Sequence, residues 1–119
     1  MKRLIRSFGF AFNGLYLLVK TQRNAQIHLV ATLLVIALGC YVGLSTVEWA
    51  LILLCIGLVV LAEALNSSIE FLADFVTEAH HEKIKKSKDL AAGGVLAAAI
   101  IAATIGCLIL VPKIMEIFR

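Results

Sequence analysis

Hydrophobic positions dominate this chain in three long blocks. Ile27 to Val47 is apolar apart from His28 near its start and the weakly polar Thr32, Ser45 and Thr46. Trp49 to about Val76 is apolar until Glu63 interrupts it. Leu90 to Val111 carries no charge at all. About 20 apolar residues are needed to cross a hydrocarbon core of roughly 30 Å. The pattern therefore predicts three transmembrane helices, at about 27–47, 49–76 and 90–111. The second would be about 42 Å long at 1.5 Å per residue, more than the core requires. Its C-terminal end should stand out of the hydrocarbon. Pro112, the only proline, is expected to stop the third span.

Ahead of these blocks the pattern changes. Leu4, Ile5, Phe8, Phe12, Leu15 and Tyr16 recur at helical spacing among Lys2, Arg3, Arg6 and Asn13. That alternation suits an amphipathic helix lying on a membrane surface, at about 2–22. The same stretch lacks the continuous apolar core and small-residue cleavage site of a secretory signal. The expected fold class is an all-α integral membrane protein, a surface helix followed by three spans, in one domain over 1–119.

Composition agrees. Of 119 residues, 61% are hydrophobic and 16% charged, with a mean hydropathy of +0.98. A soluble domain carries more charge and less grease than this. Lys2, Arg3, Arg6, Lys20 and Arg23 precede the first span, and Lys83, Lys85, Lys86 and Lys88 lie between the second and third. The first loop has no basic residue. The positive-inside rule then puts the N-terminus and second loop in the cytoplasm, and the first loop and C-terminus outside. The net charge of +3 reflects this bias and suits anionic headgroups rather than nucleic acid. Cys40, Cys55 and Cys107 each sit in an apolar block and read as packed small hydrophobes. Gly94, Ala98, Ala102 and Gly106 form a small-residue stripe, expected to pack closely against a neighbouring helix, in this chain or in another copy.

The chemistry concentrates at the end of the second block. On a wheel of 100° per residue, Asn66, Glu70 and Asp74 lie within about 60° of Glu63, so four polar groups share one face. Counted from Trp49, Glu63 is about 21 Å along the helix and Glu70 about 31 Å. Glu63 should sit within the cytoplasmic leaflet, and Glu70 and Asp74 at its aqueous edge. A carboxylate in hydrocarbon costs about 2.5–3.5 kcal/mol on insertion scales, so it is kept mainly for function. The gradient suits a reaction between a lipid and a water-soluble partner. A buried Glu63 can act as a general base, and a shallower carboxylate can hold a hard cation such as Mg²⁺. Lys88 and Asp89 are expected at the start of the third helix, where a lysine can neutralise phosphate charge and Asp89 can serve as a helix cap. The same face would also suit an ion relay in a small transporter, or an assembly contact. No Walker A, protein-kinase or Rossmann signature is present. His28 reads as an interfacial or packing residue, and His80 and His81 as solvated loop residues.

These residues resemble the prokaryotic diacylglycerol kinase and undecaprenol kinase family of small integral membrane enzymes. The family pattern of Glu, two residues, Asn, Ser/Thr, Ser/Ala, an aliphatic, Glu, three residues and Asp is similar to Glu63, Asn66, Ser67, Ser68, Ile69, Glu70 and Asp74. Lys88-Asp89-Leu90-Ala91-Ala92-Gly93 looks like its Lys-Asp-x-Ala-Ala-Gly stretch, and Arg23-Asn24 through His28 like the Arg-Asn-x-x-x-His of Gram-positive-type members. The resemblance covers nearly the whole chain. It implies a homotrimer in a bacterial cytoplasmic membrane, with active sites between protomers, transferring the γ-phosphate of MgATP to a lipid alcohol. Its implied partners are ATP, that lipid and a second copy of the chain.

By position, the resemblance makes Glu63 the base and Asn66 the residue that helps fix the reacting groups, both against the lipid. Glu70 would hold the metal and, through it, the phosphates. Arg3, Arg6, Phe10, His81, Lys88 and Asp89 would contact the nucleotide. The chain departs from the pattern at Gln22, where a metal-binding glutamate is usual, and at Ala73, where an aliphatic is usual. An amide can ligate Mg²⁺ but brings no charge. The Arg-Asn-x-x-x-His segment and the Val-Pro-Lys-Ile run at Val111–Ile114 point to undecaprenol as acceptor, with diacylglycerol as the alternative.

Overall fold

The computed structural model describes residues 1–119 as four helices: α1 (Lys2–Thr21), α2 (Arg23–Val42), α3 (Thr46–Val76) and α4 (Glu82–Ile117). The last three are each long and apolar enough to cross a membrane. α1 ends at Gln22, whose extended backbone (φ −105°, ψ 113°) breaks the helix and turns the chain into α2. The Gln26 side chain donates to the Val19 carbonyl at 2.9 Å and fastens this elbow. Leu18 is the one buried residue of α1, whereas Leu4, Ile5, Phe8 and Phe12 are exposed.

Two tight turns organise the hairpins. The α2–α3 turn needs only Gly43 to Ser45. Gly43 adopts φ +70°, a conformation natural to glycine, and caps α2. Ser45 then opens α3 with a capping box: its hydroxyl accepts from the Glu48 amide at 3.3 Å, and its own amide donates to Glu48 Oε2 at 2.7 Å. The first span thus ends at Val42, not Val47, because glycine and this box terminate one helix and start the next within three residues.

α4 differs from expectation at both ends. It begins at Glu82, capped by His81, whose Nδ1 accepts from the Lys83 amide at 3.2 Å. Lys88 and Asp89 are therefore interior to the helix. Asp89 caps nothing; it pairs with Lys85 one turn earlier at 2.7 Å. Nor does Pro112 end the helix, which runs on to Ile117. Proline removes one backbone donor and leaves the Leu108 carbonyl without its intrahelical partner. The lost bond is outweighed by tertiary anchoring: Lys113 reaches Glu48 of α3 at 3.2 Å, and Ile114 packs into the bundle.

α3 and α4 make the most extensive helix pairing of the fold, pinned near both ends. Lys88 meets Asp74 at 2.7 Å, and Lys113 meets Glu48. The two pins lie roughly 39 Å apart along α3, at 1.5 Å per residue. The small-residue stripe lies along this packing: Ala98 is buried, Gly94 lines a groove shared with α3, and Ala102 and Gly106 line a cavity shared with α2 and α3. The cysteines are all free. Cys55 is buried, whereas Cys40 and Cys107 are exposed, Cys107 at the wall of the cavity.

Only 13 of 119 residues are buried. Most large apolar side chains of α2, α3 and α4 face outward. An exposed apolar surface of that extent is stable only under a cover of lipid or protein, which makes this a membrane protein.

Candidate functional site

Three of those 13 buried residues are polar, and all three lie in the C-terminal half of α3. Glu63 is 2% exposed, Ser67 4% and Asn66 7%. Burying such groups costs free energy unless they are partnered. Here Glu63 Oε1, Asn66 Oδ1 and Ser67 Oγ have no hydrogen-bond partner at all. A fold that stores three unsatisfied polar atoms side by side holds them for something other than stability.

Helix lengths put these groups where they are. α2 has 20 residues and α3 has 31. The two are joined by a three-residue turn at one end, so α3 overshoots α2 at the other by roughly 16 Å. Glu63 lies within the stretch that α2 covers. Glu70 and Asp74 lie on the overshoot. Burial falls accordingly along the face: Glu63 is buried, Glu70 half-buried, and the Asp74 side chain 57% exposed. The wheel geometry is realised directly in a bond from Asn66 Nδ2 to Glu70 Oε1 at 3.2 Å.

α2 contributes a residue to this site. His28 Nε2 stands 3.2 Å from Glu63 Oε1, close enough for an ion pair but not aligned as a hydrogen bond. The imidazole is partly exposed, at 28%, while the carboxylate is at 3%. The sequence pattern alone marks His28 only as an interfacial or packing residue. The available signal was that His28 is the only Asp, Glu, His, Lys or Arg of the first apolar stretch and Glu63 the first such residue of the second. Two such groups on adjacent spans can satisfy each other.

The other candidates are distributed along the same end. Lys88 projects from α4 to Asp74, next to Glu70 on the α3 overshoot. Asp89 is engaged with Lys85. His81 caps α4 in the five-residue connection from α3. Gln22 is half-buried at the α1–α2 elbow, and its amide donates to Thr21 Oγ1 at 3.2 Å. Arg3, Arg6 and Phe10 are exposed on the N-terminal half of α1, and neither arginine pairs with a carboxylate.

No three His, Cys, Asp or Glu side chains of one chain converge as a metal cage. A hard cation held through one carboxylate and a substrate's phosphates would not need such a cage. Glu70 fits the role, because Asn66 occupies only one of its oxygens.

Two hollows flank the site. One, of about 570 Å³, is an open hollow lined by α2, α3 and α4 that extends from His28 past Val35, Cys55 and Ala102 to Ile114. The other, of about 400 Å³, lies between α3 and α4 with Asn66 in its wall among Leu58, Leu65, Ile69 and Ala98. Both are predominantly apolar, and each carries a single strongly polar side chain, His28 or Asn66.

The arrangement defines a small helical membrane protein with an ionisable site at one end of its bundle, graded from buried to exposed. Residues 9–110 match the prokaryotic diacylglycerol kinase family, and the chain belongs to it. It is similar to the undecaprenol kinase of Bacillus subtilis, at 40% identity over 96% of this chain and 93% of that protein. It is also similar to the diacylglycerol kinase of Synechocystis, at 36% over 96% of this chain and 66% of that longer protein. With the diacylglycerol kinase of Escherichia coli it shares 29% identity, over 91% and 88%.

Proposed function

We infer that this protein is a lipid kinase that moves the γ-phosphate of ATP to the hydroxyl of a membrane lipid, with undecaprenol as the acceptor. Family membership supports the reaction class, and the relative at 40% identity is named an undecaprenol kinase. Diacylglycerol is the second candidate, because the relatives at 36% and 29% are named for it. The observation that carries the reading is the buried Glu63 beside Asn66, on a face that ends in the more exposed Glu70 and Asp74.

In the mechanism, Glu63 accepts the proton of the lipid hydroxyl as its oxygen bonds to the γ-phosphorus and the bond to the β-phosphate oxygen breaks. Asn66 donates to Glu70 and fixes that carboxylate. Glu70, with the Gln22 amide as a neutral second donor, would hold Mg²⁺, which neutralises phosphate charge when bound. Lys88 supplies a further cation at the same level, and Asp89, His81, Arg3, Arg6 and Phe10 are the remaining nucleotide contacts.

The chain is one catalytic domain over 1–119. α1 lies on the cytoplasmic face of a bacterial cytoplasmic membrane, and the C-terminus is outside. A homotrimer completes each site across a protomer boundary. The thin core of one chain supports that assembly, since outward apolar faces are available to other copies.

The test is transfer of radiolabelled phosphate from ATP to undecaprenol and to diacylglycerol, side by side, in mixed micelles. Phosphorylated undecaprenol is expected, with Glu63→Gln reducing turnover by at least about 100-fold, the scale of a lost general base. Absence of transfer to either lipid refutes the kinase reading. Full activity of Glu63→Gln removes the base assignment.

A further inference from the structure

The mechanism leaves a proton on Glu63, and Glu63 is shut away from water. Its side chain is 3% exposed and its Oε1 has no hydrogen-bond partner. Its buried polar neighbours, Asn66 and Ser67, are an amide and a hydroxyl, neither of which titrates near neutral pH. A base that keeps its proton performs one turnover and stops. Something must return it to the carboxylate form.

We propose that His28 is the proton relay that resets Glu63 between turnovers. The inference rests on Glu63 being the base. Three observations carry it. His28 Nε2 is 3.2 Å from the sealed Oε1. The imidazole is 28% exposed and lies about 8 Å from the start of α2, within reach of the aqueous edge from which the carboxylate is sealed. It comes from a different helix, so the contact is made by the fold and not by neighbours in sequence.

The step balances without a further reactant. With its proton on Nδ1, His28 has a free Nε2 lone pair 3.2 Å from Glu63 Oε1, and a small turn of the ring would align it with the acid proton. The carboxylic acid transfers its proton to Nε2, leaving carboxylate and imidazolium. Nδ1–H then releases its proton to water, and the tautomer resets by exchange. Imidazole suits this task because its ordinary pKa lies close to neutrality. The titratable groups facing it are few. α3 presents Glu63 and, across the cavity, Cys55; α4 presents Cys107. At the end of α1 next to α2, Lys20 is turned over the Tyr16 ring at 5.5 Å and carries no partner role here.

A relay differs from a merely structural histidine in which turnover it affects. Rapid-quench measurement of lipid phosphate formed from ATP separates the first turnover from later ones. In the trimer carrying His28→Gln, which keeps size and hydrogen bonding but cannot pass a proton at neutral pH, the first turnover should proceed at the wild-type rate. One phosphate per site should appear as a burst, followed by a steady state slower by about 100-fold, the low end of what positioned proton transfer contributes. The His28→Ala protein should behave alike. Its steady state should rise with added imidazole, for which the adjoining hollow of about 570 Å³ has room.

Equal slowing of the burst and the steady state would mean that His28 only supports the structure, and would overturn the relay. Wild-type behaviour in both phases, or no response of His28→Ala to imidazole, would overturn it too. Glu63→Gln, run in parallel, should lose the burst itself. If it keeps the burst, the base assignment falls and the relay with it, whereas a failure confined to the His28 variants leaves that assignment standing.

Discussion

Gly39 offers a quantitative test of how the α2–α3 hairpin is set. It is a buried glycine one turn before the end of α2. Its carbonyl accepts from both the Gly43 and Leu44 amides, at 3.1 and 3.2 Å, so the turn folds back over it. A methyl added there would stand 2.8 Å from Leu44 Cδ1 and 3.0 and 3.3 Å from two atoms of the Trp49 indole. Leu44 can change rotamer, but the indole ring is rigid. Overpacking of this kind costs about 1–3 kcal/mol. Against that, alanine gains about 1 kcal/mol over glycine within a helix. Gly39→Ala should therefore be destabilised by up to about 2 kcal/mol.

The control is Gly106→Ala, in α4. There the added methyl meets nothing within 4 Å and points into a space beside the large cavity. It keeps the propensity gain without the clash. The two variants should differ by about 1–3 kcal/mol in free energy of unfolding, titrated in mixed micelles with a denaturing detergent. Equal stabilities would refute the packing of Leu44 and Trp49 onto Gly39. The consequence reaches the site, because this turn sets the register that brings Glu63 level with His28. Gly39→Ala should also lower turnover, and Gly106→Ala should not.

Two further outcomes are expected. Gln22→Glu should lower the Mg²⁺ concentration for half-maximal kinase activity several-fold, as an added carboxylate strengthens a hard-cation site; an unchanged Mg²⁺ titration would place residue 22 outside the metal shell. Glu48→Ala removes half of the capping box and the ion pair to Lys113, and should lower stability, with KM for ATP unchanged. Retention of full stability in the same detergent titration would show that the box contributes nothing.

Periodicity was a good guide to what lies along each helix and a poor one to where helices stop. Three spans and the shared face of Asn66 and Glu70 follow from spacing alone, because a helix fixes which residues are neighbours. Helix ends depend on competition between local signals and tertiary contacts. Pro112 argued for a stop, yet Lys113 and Ile114 are held by partners distant in sequence. Asp89 looked like a cap because the apolar run begins after it. Polar residues Glu82 to Lys88 form helix nonetheless, supported by Lys86–Glu82 and Lys85–Asp89 pairs. The Ser45-x-x-Glu48 box that starts α3 is a local signal too, and a boundary drawn from hydropathy alone, at Val47 and Trp49, runs past it.

His28 shows why a site made by two helices resists reading from one. Counted from the start of its own helix, His28 is about 8 Å in, whereas Glu63 is about 20 Å from the end of α3. By depth alone they would not meet. They do because the turn is short and α3 is longer than α2, so the whole excess length falls at one end. That one inequality does two things. It draws Glu63 back beneath α2, where a histidine can reach it, and leaves Glu70 and Asp74 projecting beyond. Lengthening the turn would release α3 from its register against α2 and so from His28. The 3.2 Å contact is thus set by the three residues Gly43 to Ser45, at the far end of the bundle from the chemistry they align.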